Sequence, residues 1–107
     1  MVDLRKGDCL ELLKSISDKS IDMVLTDPPY LIDYKTGHRK DKNHKFCFCI
    51  ENDNNFNLIS DYVKECFRVL KDNTAFCCFC NSVHIDFFKK EIEKYFKIKK
   101  YYCLGEK

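Results

Sequence analysis

Two hydrophobic periods alternate along this chain. Residues 2–5 read as a short strand, which Gly7 breaks. Asp8 followed three residues on by Glu11 has the spacing of a capping box, and Cys9, Leu10, Leu12, Leu13 and Ile16 give the ensuing helix an apolar face. Ser17 to Ser20 make the turn. Residues 21–26 are mostly apolar, as in a strand buried on both faces, and the run stops at Asp27-Pro28-Pro29-Tyr30 because proline offers no ladder donor. Residues 31–56 hold no sustained period apart from a strand-like run at 46–50. A loop of that length in a compact domain is uncommon and tends to be functional or mobile. Leu58, Ile59, Tyr62, Val63, Cys66, Phe67 and Leu70 then recur at helical spacing, and Lys71-Asp72-Asn73 ends that helix. A second buried strand is predicted over 74–80. Asn81 and Ser82 cap a helix over 84–96, with Ile85, Phe88, Ile92 and Tyr95 on one face. A third major strand is predicted over 98–104.

The order is strand, helix, strand, long loop, helix, strand, helix, strand. Such alternation predicts an α/β fold of βαβ units, a parallel sheet with helices on its faces. No internal repeat is visible. No helix is predicted after the last hydrophobic strand, so the pattern resembles half a sheet.

The 107 residues make one domain, 1–107. With 45% hydrophobic and 34% charged residues, three Gly and two Pro, the composition excludes collagenous, mucin-like and largely disordered chains. No apolar run exceeds the six residues 75–80, so no segment is expected to span a membrane, and the N-terminus lacks the apolar core of a signal peptide. A cytoplasmic location is expected. Eight cysteines sit largely inside apolar runs, notably Phe46-Cys47-Phe48-Cys49-Ile50 and Ala75-Phe76-Cys77-Cys78-Phe79-Cys80. The expectation is reduced thiols acting as small core hydrophobes, with no metal site, since the Cys77/Cys80 pair lacks the second pair that a zinc site uses.

Net charge is only +2, and its distribution says more than its size. Lys35, Arg39, Lys40, Lys42 and Lys45 share a short stretch with His38, His44 and a single acid, Asp41. Basic clusters in loops are candidate phosphate contacts. A second group, Lys89, Lys90, Lys94, Lys97, Lys99 and Lys100, is interleaved with Glu91 and Glu93 and reads as a solvated helix face.

The chemistry concentrates at Asp27-Pro28-Pro29-Tyr30. The motif stands at the C-terminal end of a predicted parallel strand, the edge at which open α/β sheets bind ligands. A carboxylate beside a stiff Pro-Pro backbone offers two acceptors at fixed spacing, matching the two N–H donors of an exocyclic amine on adenine or cytosine. Accepting both hydrogens localises the nitrogen lone pair, which is otherwise delocalised into the ring. Tyr30 supplies a flat face on which a base can stack, typically worth ~1–3 kcal/mol. The plainer reading is a turn after a strand, with Asp27 as a local cap; four such residues in order after a buried strand favour the functional one.

With these residues in view, the chain resembles the β-class S-adenosylmethionine-dependent DNA amino-methyltransferases, over nearly its whole length. Gly7-Asp8-Cys9 and the Leu-rich helix, then Ile21-Asp22 running to Asp27-Pro28-Pro29-Tyr30, are similar to the family's opening. Arg68-Val69-Leu70-Lys71 before a strand resembles its next landmark. The tail Tyr102-Cys103-Leu104-Gly105-Glu106-Lys107 resembles its Trp-x-Lys strand, here without the Trp. The resemblance implies a partial Rossmann-like methyltransferase sheet, mostly parallel strands with helices on both faces. It implies that Asp27 and the Pro28 carbonyl grip the target amine, that Pro29 and Tyr30 complete the catalytic motif, and that Tyr30 stacks on a base flipped out of double-stranded DNA. The amine then attacks the sulfonium methyl in line. Asp at the first motif position points to adenine N6, with cytosine N4 open. By the same resemblance Asp8 and Cys9 lie near the adenine of S-adenosylmethionine, although Asp8 alone could be a helix cap. The loop with Lys35, His38, Arg39, Lys40, Lys42 and Lys45 faces DNA phosphate.

The match fails at one landmark. The family's Phe-x-Gly-x-Gly-like turn is absent, for Gly7, Gly37 and Gly105 are far apart. The chain therefore reads as the N-terminal catalytic half, with the cofactor glycines and the sequence-reading elements downstream or on a second chain, and weak or no transfer is expected from it alone. Competing readings are an RNA or protein-amide methyltransferase, against which Asp27 argues; a non-catalytic nucleic-acid-binding remnant; and a zinc or redox module built on Cys47, Cys49, Cys77, Cys78 and Cys80.

Overall fold

The computed structural model describes residues 1–31 and 54–100, arranged as α1 (Cys9–Lys14), β1 (Ile21–Thr26), α2 (Phe56–Val69), β2 (Leu70–Cys78) and α3 (Ile85–Glu93). Each helix start has a local cause. The Asp8 carboxylate accepts the backbone N–H groups of Leu10 (2.9 Å) and Glu11 (3.4 Å), satisfying donors that have no partner within the helix. Glu11 does not close the box; it pairs with Lys14 at 2.9 Å instead. Asn55 caps α2 by accepting from Leu58 N–H at 3.0 Å. At α3 the Asn81 side chain accepts from His84 N–H at 3.1 Å, so the helix begins just beyond the predicted caps and stops earlier than predicted.

The two strands pair in parallel, Met23 opposite Ala75, Val24 opposite Phe76, Leu25 opposite Cys77 and Thr26 opposite Cys78. β2 begins at Leu70, with no loop between it and α2, so the segment read as a helix end is already strand. The register slips between Ile21 and Met23. Extra β2 residues are accommodated around Asn73, whose φ of 61° is a left-handed conformation that Asn tolerates. The breaking signal at residues 71–73 thus marks a bulge within the strand.

The core lies between the sheet and α2 and α3. Ile59, Val63 and Phe88 are each 1% exposed and meet Leu31, with Phe76, Cys78, Cys80, Ile92 and Phe96 packed around them. Phe76 and Phe96 stack at 4.8 Å. The spacing of Ile59, Val63 and Cys66 keeps these side chains on one face of α2, as the helical period requires.

Three expectations are corrected. Residues 2–5 form no strand; Val2 and Leu4 are exposed, with no neighbouring strand end to pair with among the described residues. β1 is not buried on both faces: Met23 is 52% and Leu25 66% exposed, and Ala75, Cys77 and Phe79 across the pair are exposed as well. The described helices cover only the opposite face. Residues 98–100 carry no regular structure, and the rest of the predicted third strand, like the run at 46–50, lies outside the described residues. No described helix is long and apolar enough to cross a membrane.

Candidate active site

β1 ends at Thr26 because Pro28 and Pro29 have no N–H to extend the ladder. Thr26 is held twice. Its carbonyl accepts from Phe79 N–H at 2.9 Å, and its hydroxyl accepts from the Tyr62 hydroxyl at 2.8 Å. Asp27 follows directly and is exposed, while Pro28, Pro29 and Tyr30 are half-buried. Beyond them Leu31 turns inward with a φ of 64° and is 5% exposed, packed with Ile59, Val63 and Phe88. A leucine in that left-handed conformation costs ~1–2 kcal/mol, and burial of its side chain, worth ~1.5–3 kcal/mol, offsets it. The four-residue motif is therefore clamped between an anchored threonine and a buried leucine.

The nearby Asp27 carboxylate raises the Tyr30 pKa from its ordinary value, with burial adding to the effect. A carboxylate has about four lone-pair sites. The exposed Asp27 carboxylate has that capacity open to an incoming donor.

Behind the motif lies an open cavity of about 190 Å3, lined by Cys9, Thr26, Pro28, Pro29, Leu58, Ile59 and Tyr62. It brings Cys9, at the start of α1, to the prolines of the motif. Asp8 stands next in the chain and acts as the α1 cap. Burial, and then the Asp8 charge, push the Cys9 thiol up. Burial likewise raises the Tyr62 phenol above its ordinary value, so it stays a neutral donor.

The structure thus places Asp27, Pro28, Pro29 and Tyr30 together, with Cys9 across the cavity and Asp8 beside it. Lys35, His38, Arg39, Lys40, Lys42 and Lys45, the predicted phosphate contacts, lie outside the described residues, as does His44. Of the second basic group, Lys94 pairs with Glu91 at 2.9 Å and the other lysines are exposed, but Glu91, read as part of the same solvated face, is buried at 7% exposure. Cysteine behaviour is mixed. Cys66 is buried and Cys78 and Cys80 are half-buried, but Cys9 and Cys77 are exposed and are not core residues. No group of three metal-ligating side chains occurs among the described residues.

Sequence reasoning missed Tyr62, Leu58 and Ile59 as cavity walls, having assigned them to the helix stripe. Tyr62 carried a signal: a polar-tipped aromatic within an apolar stripe needs a hydrogen-bond partner when buried.

The chain is similar to Type II methyltransferases. It is 34% identical over 73 residues to M.HinfI of Haemophilus influenzae, covering 62% of this chain and 20% of that protein. It is 31% identical over 90 residues to M.HpaI of Haemophilus parainfluenzae, covering 82% of this chain and 26% of that protein. With M.BamHI of Bacillus amyloliquefaciens it shares 34% over 68 residues, 64% of this chain and 15% of that protein. The matched stretch is thus about a quarter or less of each relative. No family profile matches the chain. No solved structure matches it.

Proposed function

We propose that this chain carries the amine-gripping part of a site-specific DNA methyltransferase of the β class that uses S-adenosylmethionine, acting on adenine N6 ahead of cytosine N4. The observation that carries the reading is the placement of Asp27-Pro28-Pro29-Tyr30 at the C-terminal end of β1, between two fixed residues and over an apolar cavity. The similarity to Type II methyltransferases supports it.

The cavity suits part of the methyl donor. Its walls are apolar side chains and two proline rings, which favour a flat heterocycle, and about 190 Å3 is smaller than the ~300–1,000 Å3 of a pocket for a whole ligand of that size. Cys9 and its neighbour Asp8 would stand at the adenosine end. When bound, the donor supplies an electrophilic sulfonium methyl. The work of this chain is on the nucleophile. The Asp27 carboxylate and Pro28 carbonyl accept the two amine hydrogens of the extruded base, concentrating the lone pair on nitrogen. Pro29 stiffens the turn. Tyr30 presents its ring to the base. No covalent bond to the protein is required, so the thiols are not nucleophiles here. The basic stretch at Lys35, His38, Arg39, Lys40, Lys42 and Lys45 meets backbone phosphate.

The exposed apolar side chains of Met23, Leu25 and Phe79 favour an added element of this reading. Parallel sheets are covered on both faces. This single-domain segment, residues 1–107, therefore works within a Rossmann-like sheet completed by further polypeptide, downstream or on a second chain. A non-catalytic nucleic-acid-binding remnant is the alternative.

The test is to purify the protein from its own cells, with any chain that accompanies it, and supply double-stranded DNA and methyl-labelled S-adenosylmethionine. Digestion of the DNA to nucleosides should place the label on N6-methyladenine. Label on N4-methylcytosine would change the base assignment, and label in RNA or protein but not DNA would overturn the reading.

A further inference from the structure

Tyr62 lies 36 positions from Thr26 in sequence, yet its hydroxyl donates to the Thr26 hydroxyl at 2.8 Å. This bond joins α2 to the last residue of β1. The next residue is Asp27, and after it two prolines leave little backbone freedom. Thr26 is already fixed to the residue after β2 through the Phe79 N–H. The backbone bond holds the main chain of Thr26 to the segment after β2, and the side-chain bond holds its hydroxyl to α2. Tyr62 also lines that cavity, together with Cys9, Pro28 and Pro29.

We propose that Tyr62 is a positioning residue for the amine-gripping motif, acting through Thr26 to aim Asp27 and to keep the cavity wall in register with it. The inference rests on the methyltransferase reading given above. Its physical basis is that small misplacement of a catalytic group carries a large rate cost. The Tyr62 ring fills space that phenylalanine fills equally, so Tyr62→Phe removes the bond and keeps the packing. Thr26→Val removes the same bond from the other side with little change in volume. Since the two hydroxyls serve one contact, their effects should not add.

The experiment compares wild type, Tyr62→Phe, Thr26→Val and the double variant, each purified from its own cells with any accompanying chain. Methyl transfer to DNA, the KM for DNA and the melting temperature are read for each. The expected result is that each single variant lowers kcat about tenfold with the KM for DNA within about twofold, and that the double variant is no slower than the slower single one. A lowered melting temperature with unchanged kcat marks a purely structural bond and overturns the inference. Fully additive losses also overturn it. Transfer by wild type, undiminished in Tyr62→Phe, defeats the positioning role alone; absence of transfer by wild type defeats the methyltransferase reading and this inference together.

Discussion

The guanidinium of Arg68 donates to the Asp18 carboxylate at 2.6 Å, joining positions fifty apart in sequence. The same side chain donates to the Ile16 and Leu13 carbonyls at 2.9 and 2.8 Å and to Glu65 at 2.8 Å. The Leu13 carbonyl also accepts from Ile16 N–H at 3.0 Å, and Arg68 adds a second donor from α2 at the end of α1. The fork geometry of arginine makes this set of directed bonds possible.

Arg68→Ala is therefore expected to lower the urea midpoint of unfolding clearly, because it strips several partners at once. Arg68→Lys should recover only part of the loss. Lys14→Ala, which removes a pair exposed on both sides, should be nearly silent. Equal midpoints for Arg68→Ala and Lys14→Ala would contradict the anchoring role.

Asp8 has two assignments that one pair of substitutions separates. As the α1 cap it accepts two backbone N–H groups, and Asp8→Ala should cost ~0.5–2 kcal/mol of stability. Asp8→Asn preserves capping, so stability should hold. If the carboxylate also meets the methyl donor, as proposed, Asp8→Asn weakens donor binding measured by calorimetry while unfolding is unchanged. Unaltered binding would leave Asp8 as a helix cap only.

Thiol reactivity reports the packing directly. Cys77 is exposed on the uncovered sheet face, whereas Cys66 is 1% exposed and Cys78 half-buried. Burial pushes the Cys66 thiol up to about 11 and the Cys78 thiol up to about 12. The thiolate is the reactive form, so near neutral pH iodoacetamide should modify Cys77 well ahead of Cys66 and Cys78. Modification of those two should quicken as pH rises toward their pKa values. Peptide mass spectrometry over a time course checks this order, and early loss of Cys66 would contradict the packing of α2.

What could be read from the sequence followed local physics. The α1 cap at Asp8, the apolar stripe of α2 and the end of β1 at Pro28-Pro29 depend on residues a few positions apart, and the structure has each of them. The failures are tertiary. Residues 2–5 have strand-like composition, but a strand needs a neighbour. The break at residues 71–73 was legible, but whether it ends a helix or bulges a strand depends on pairing with β1. Burial of one β1 face cannot be read from Met23 and Leu25, which look the same as core residues. The position of Asp27 and its neighbours at the end of β1 was legible because the strand and the proline pair that stops it are adjacent in sequence. Tyr62 was not, because its partner Thr26 is distant in sequence. Leu31 was read as the start of a loop, although its side chain closes the core beneath the motif.

In the proposed reaction Asp27 grips an exocyclic amine of a DNA base for methyl transfer. The most direct measurement is transfer of labelled methyl from S-adenosylmethionine to double-stranded DNA by the protein purified with any accompanying chain, wild type against Asp27→Ala. Wild type should label DNA, and Asp27→Ala should lose about a hundredfold or more in rate, since it removes an acceptor aimed at the reacting nitrogen. Equal labelling by the two proteins, or none by the wild type, would contradict the account.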